Sequence, residues 1–161
     1  MLSGRGDPVR AGEGPLVAAL RTYFAGQPDV RLACLFGSQA RGSAGPLSDV
    51  DIAVVLDGPH RSHGQRRDEI CSELMGVLRR NSVDVVLADR GSPLLRHRIA
   101  RDGILILARG PHTATDFIIT AVRDYVDTAP LRRLQKEILV RELERGTFGH
   151  PAVYQGVRHD G

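Results

Sequence analysis

No stretch of the 161 residues reaches the ~18 uninterrupted apolar positions that a membrane-crossing helix needs, which excludes a spanning segment. The first fourteen residues, Met1 to Gly14, are polar, rich in Gly and Arg, and lack an apolar core segment. They read as a flexible tail and not as a signal peptide, so a cytoplasmic protein is expected. Only two cysteines occur, Cys34 and Cys71, without a CxxC or Cys/His pairing; both are expected to be small core residues in a reducing compartment. Histidine offers no metal-binding spacing either, and His60, His63, His97 and His112 are each expected at the surface. Lysine is nearly missing: of 22 basic residues only Lys136 is not arginine. The net charge of +3 and pI of about 9.3 are spread along the chain, giving no concentrated footprint for specific nucleic acid. Internal repeats and low-complexity tracts are also lacking.

What is present fits one compact domain. An apolar share of 42% and a charged share of 25% are ordinary for a globular chain of this length. Leu16, Val17, Leu20, Tyr23 and Phe24 recur at helical spacing behind Pro15, predicting a helix that ends near Gly26. Val30 to Phe36 is short, apolar and closed by Gly37, the pattern of a buried strand. Gly37 to Ser48 reads as a Gly/Ser-rich loop with room for one helical turn, and 49–56 as a second strand forming a hairpin-like pair with the first. An amphipathic helix over 65–80 carries Ile70, Leu74, Val77 and Leu78 on one side. Val83 to Leu87 is a third strand. Ser92 caps a helix that begins with Pro93 and stops at Gly103, and 104–107 is a fourth strand. From Thr113 to about Arg145 the pattern is helical, divided by Pro130. The order predicts a small α+β domain: tail 1–14, core 15–110, two closing helices within 111–146 packed on the core, and tail 147–161. Apolar positions on those helices, Phe117, Ile118, Ala121, Val122 and Tyr125, then Leu131, Leu134, Ile138 and Leu143, either face the sheet or leave a stripe for a partner.

Chemistry is concentrated in one segment: Gly37-Ser38-Gln39-Ala40-Arg41-Gly42, five residues, then Ser48-Asp49-Val50-Asp51-Ile52. Residues two apart on a strand share a face, so Asp49 and Asp51 present paired carboxylates near its start. Such a pair is costly without a cation, and hard oxygen donors suit Mg²⁺, which keeps waters and substrate phosphates. Gly37 allows close approach of the backbone, and Ser38 adds a hydroxyl and an N–H, together a cradle for a phosphate chain. Asp84, between Val83 and Val85, is a third carboxylate whose burial among apolar neighbours needs a reason; beside 49–56 it completes a cluster able to hold two metals for in-line transfer. Asp89 is the alternative if the strand register differs. Arg41 either steadies a triphosphate or is a solvent-facing charge, and Ser48 is expected to shape the turn into the strand.

Gly37-Ser38, Arg41-Gly42, Ser48-Asp49-x-Asp51 and a later strand aspartate resemble the signature of the DNA polymerase β-type nucleotidyltransferase superfamily, in particular the minimal nucleotidyltransferase (MNT) antitoxins of HEPN/MNT toxin–antitoxin pairs. The likeness covers roughly Leu16 to Arg145. It implies a nucleotidyltransferase fold, Mg²⁺ (two ions) on Asp49, Asp51 and Asp84, and ATP held at Gly37 and Ser38, with Arg41 and Ser48 nearby. It also implies an activity: AMP transfer from ATP to a tyrosine hydroxyl of a partner HEPN ribonuclease, in a hetero-oligomer with it. Transfer to a small hydroxylated molecule such as an aminoglycoside, and a non-catalytic antitoxin that acts by binding, are the competing readings. The first would need extra walls around its acceptor, and the second leaves three repelling carboxylates unexplained.

Overall fold

The computed structural model describes residues 14–45, 48–58 and 62–145. The expected tails before residue 14 and from residue 147 lie outside them, as does His60. Two compact units divide the chain, one up to Val126 and one from Asp127.

In the first unit, α1 (Pro15–Ala25) starts on a proline whose missing N–H is no loss in a first turn, and closes at Gly26. β1 (Val30–Phe36) runs directly into a one-turn helix, α2 (Gly37–Arg41). β2 (Val50–Leu56), α3 (His63–Leu78) and β3 (Val83–Leu87) follow, then a 3₁₀ turn at Ala88–Arg90. The Ser92 hydroxyl accepts the Leu95 N–H at 3.2 Å and so caps α4 (Pro93–Asp102). β4 (Ile104–Ala108) and α5 (Thr113–Asp127) complete the series, and α6 (Ala129–Glu144) belongs to the second unit. The α+β expectation holds, with boundaries within two residues of the sequence reading. Gly103 ends α4 for a different reason than expected. Its φ of −69° is not left-handed; a Cβ there would collide with the Ile99 carbonyl, so the requirement is close packing.

The four strands make one mixed sheet in the order β3-β2-β1-β4. β1 pairs antiparallel with both β2 and β4, while β3 runs parallel to β2 after the α3 crossover. Alternation along the strands builds two cores. Leu35, Val50, Ile52, Val54, Val83 and Val85 face α1 and α3, packing against Leu20, Phe24, Ile70 and Leu74. Leu32, Cys34 and Ala53 face Ile99 and Ala100 of α4 and Phe117 and Ala121 of α5. Ionic contacts reinforce both layers. Arg66 on α3 donates to Asp29 at 2.7 Å and to the Gln27 side chain at 2.5 Å, and Tyr23 donates to Glu73 at 2.5 Å, tying α1 and its following loop to α3. On the other face Arg96 pairs with Asp124 at 2.6 Å, and His97 stacks on Tyr125 with ring centroids 3.9 Å apart.

Two expectations about single residues are corrected. His63 is buried, seated at the start of α3, and is not a surface residue. Cys34 is buried, as expected, and burial pushes its thiol up to about 12, which leaves it unreactive. Cys71 is only partly buried and donates to the Val83 carbonyl at 3.1 Å.

Candidate active site

The site lies where β1 ends and β2 and β3 begin. Antiparallel pairing sets Phe36 opposite Asp51, and parallel pairing sets Asp51 opposite Asp84. Val50, Ile52, Val83 and Val85 point into the α1/α3 core, so the alternate positions Asp51 and Asp84 share the other face of the sheet. Asp49 stands one residue before β2, next to the turn that enters β3. Strand register thus sets Asp51 beside Asp84, with Asp49 just ahead of β2.

Asp84 reaches this place by a route the sequence reading did not anticipate. β3 is the edge strand, and Asp84 is exposed, so its apolar neighbours in sequence do not bury it. Proximity to Asp51, not burial, makes its charge matter. Adjacent strands lie about 4.8 Å apart, and two carboxylates at that separation repel by about 1 kcal/mol in water and about 3 kcal/mol at an effective dielectric of ~20. Asp51 records the strain. Its carboxyl is raised above the usual range by partial burial first, then by the charges of Asp84 and Asp49, with Arg41 opposing. The alternative carboxylate, Asp89, sits on the 3₁₀ turn and lines a separate hollow with Arg31, Arg96 and Phe117.

Gly37 is built into the same spot. Its φ is +72°, and a Cβ there would collide with Oδ2 of Asp51, so the glycine is what admits the carboxylate against the backbone turn. Ser38 is partly buried on α2, and its carbonyl accepts the Ser43 N–H at 3.1 Å. Arg41 is exposed in the last residue of α2, close enough for its charge to act on Asp51 and on Asp102 of α4. Ser48 shapes the turn: its hydroxyl accepts the Gly45 N–H at 2.8 Å, and its own N–H donates to the Gly45 carbonyl at 3.1 Å.

Three residues at this site were given no role from the sequence. Gln39 and Arg80 each donate to the Ser48 carbonyl at 3.4 Å, and the Ser82 hydroxyl donates to Oδ1 of Asp49. Arg80 and Ser82 come from a turn that only the fold brings beside the Ser48–Asp49 segment.

A divalent cation fits the donor chemistry of this cluster. Its oxygens are hard, its carboxylates carry mutually unfavourable charge, and Gly37 lets the Asp51 carboxylate sit where a Cβ would otherwise stand. Among the described residues no three Asp, Glu, His or Cys groups are gathered tightly enough to hold a metal ion, and Asp49 is turned to Ser82. A carboxylate can turn about χ1, whereas strand pairing cannot slip without reversing every face.

Residues 19–112 match the family described as Polymerase beta, Nucleotidyltransferase. No curated protein matches the chain by sequence. Among solved structures, a toxin–antitoxin crystallised with AMP-PNP is similar over 77% of this chain and 95% of that one, with 23% identity and a TM-score of 0.61. A complex of a tri-AMPylated Shewanella oneidensis HEPN toxin with its MNT antitoxin is similar over 76% and 98%, with 19% identity and a TM-score of 0.58. The MntA-HepT toxin–antitoxin is similar over 77% and 93%, with 21% identity and a TM-score of 0.55. At these identities the likeness is one of fold. Among the described residues no helix is long and apolar enough to cross a membrane.

Proposed function

Because this chain belongs to the polymerase beta nucleotidyltransferase family, we propose that it is an MNT-type antitoxin that transfers AMP from ATP to a tyrosine hydroxyl of a HEPN-family ribonuclease toxin and thereby silences it. The observation that carries the reading is the meeting of Asp51 and Asp84 across the β2–β3 register, with Asp49 beside them and Gly37 held open against Asp51. In the proposed reaction the tyrosine oxygen bonds to the α-phosphorus as its hydroxyl proton passes to solvent, the bond to the bridging oxygen breaks, and pyrophosphate leaves with the displaced electron pair.

Asp49, Asp51 and Asp84 would hold Mg²⁺, which when bound supplies neutralisation of phosphate charge and a more acidic acceptor hydroxyl. Gly37 and Ser38 position the triphosphate at the β1–α2 turn, and Arg41 extends a guanidinium suited to phosphate oxygens. Ser48 keeps the entry into β2 in shape. Similar structures include toxin–antitoxins, one with an ATP analogue and one with an AMPylated HEPN toxin, which supports both the nucleotide and the partner. A protein partner also accounts for the exposed apolar side chains on α6, among them Leu131, Leu134, Ile138 and Leu143.

The direct test supplies Mg²⁺, a HEPN toxin and ATP labelled on the α-phosphate. Label should pass to the toxin with release of pyrophosphate, and an Asp49→Asn or Asp51→Asn substitution should lower the rate by more than about 100-fold, the loss that even a supporting residue around a metal site can cause. Transfer from γ-labelled ATP would mean a kinase and overturn the proposal. Labelling of an aminoglycoside in preference to the toxin would move it to the small-molecule reading.

A further inference from the structure

Asp49 is exposed and precedes β2, where β-pairing does not hold it as it holds Asp51. Its position is nevertheless fixed, by the short turn between α3 and β3. α3 ends with Arg79 in the left-handed region, at φ 51°, which reverses the chain toward β3. From that turn three groups reach the Ser48–Val50 segment. Arg80 donates to the Ser48 carbonyl, the Ser82 carbonyl accepts the Val50 N–H at 3.2 Å, and the Ser82 hydroxyl donates to Oδ1 of Asp49. One serine therefore grips the backbone of Val50 and the carboxylate of Asp49 together.

Resting on the nucleotidyl-transfer reading, we propose that Ser82 is a positioning residue for Asp49, setting the orientation in which that carboxylate serves a divalent cation. The chemistry favours this role. A carboxylate offers about four lone-pair directions, so a hydroxyl bonded to one oxygen leaves capacity for a cation while removing the side chain's freedom to swing into solvent. Asp49 needs such a restraint more than Asp51, whose carboxylate is confined between Gly37 and the neighbouring strands. Repulsion from Asp51 would otherwise drive it outward. Outer partners of metal-binding carboxylates typically contribute 10- to 100-fold in metal affinity.

The test uses the full chain and Mn²⁺ as the probe, with free ion measured by electron paramagnetic resonance, so that binding is read without turnover. Ser82→Ala should weaken Mn²⁺ binding by about 10-fold, while Ser82→Thr, which keeps the hydroxyl, should stay near wild type. Thermal midpoints without metal should agree among all three proteins, because the Val50–Ser82 bond is made by backbone. In turnover, Ser82→Ala should raise the Mg²⁺ concentration giving half-maximal rate and recover most of its kcat at saturating Mg²⁺, a pattern that a general loss of structure does not produce. If Ser82→Ala binds Mn²⁺ as tightly as wild type, or more tightly, this role is overturned while the transfer reading stands. A wild-type chain that binds no Mn²⁺ would sink both.

Discussion

At Gly37 two demands fall on one atom: a φ of +72° and a carboxylate pressed where a Cβ would be. A left-handed conformation costs an L-residue roughly 1–2 kcal/mol, and the collision adds a displacement of Asp51. Gly37→Ala is therefore expected to lower stability by about 1–2 kcal/mol in denaturant titrations, yet to reduce transfer by about 100-fold, since a shift near 1 Å at the chemistry can cost that much. Asp51 offers the opposite dissociation of stability from activity. Its folded carboxyl is raised, by partial burial and then by Asp84 and Asp49, so the protonated form is the one the fold favours. Stability is then full below the ordinary aspartate range and declines as pH rises through the raised value. Asp51→Asn, which cannot ionise, should have a flatter profile across that window and be no less stable than wild type at neutral pH in EDTA, although inactive. A lower thermal midpoint for the variant at pH 7 would show the carboxylate to be structural. Asp49 and Asp51 could be paired in the sequence because residues two apart on a strand share a face, and Asp84 could be picked out only by its apolar neighbours. Exposure of Asp84 could not, since nothing local marks β3 as an edge strand. Ser82 gave no signal because its partner lies 33 positions away.

Among elements, α1 and α3 depend on a mixed polar hub in addition to their apolar faces. Arg66 is the centre, with Asp29 and Gln27 on one side and Glu69 and Glu73 around it. Its bond to Asp29 is the main reason that carboxyl lies below the usual range, with burial opposing. A depressed value contributes stability above the unfolded pKa and loses it as pH falls through the folded one. Arg66→Ala should cost about 1 kcal/mol near neutral pH, as partly exposed charged hydrogen bonds do, and the deficit should shrink in thermal melts taken at progressively lower pH. Had the deficit grown on acidification, Asp29 would not be the partner that matters. Helices and strands here were legible because their signals are local: Pro15 and Pro93 at helix starts, Ser92 as a cap, and apolar spacing of 3.6 or 2. Tertiary context overruled that local reading at His63, a polar residue taken into the packing at the head of α3. Sheet order was legible only in part, since adjacent strands suggested the β1–β2 pair, whereas the place of β4 beside β1 follows from packing at long range.

For the whole molecule, the question that separates the competing functions is whether silencing outlasts contact. A transferred AMP adds a bulky anion through a covalent bond, whereas inhibition by binding disappears as the complex dissociates on dilution. Toxin incubated with wild-type chain, Mg²⁺ and ATP should thus remain inactive as a ribonuclease after the chain is removed. Toxin treated with the Asp49→Asn/Asp51→Asn double variant should be inhibited only while the two proteins are together, and recover on separation. The double substitution is suited to this purpose because Asp49 is exposed and Asp51 only partly buried, so neither carries core packing and the surface offered to a partner stays intact. Equal and lasting protection by the double variant would make catalysis dispensable and favour neutralisation by binding alone. Recovery after the variant but not after wild type would require a covalent modification that Asp49 and Asp51 are needed to make.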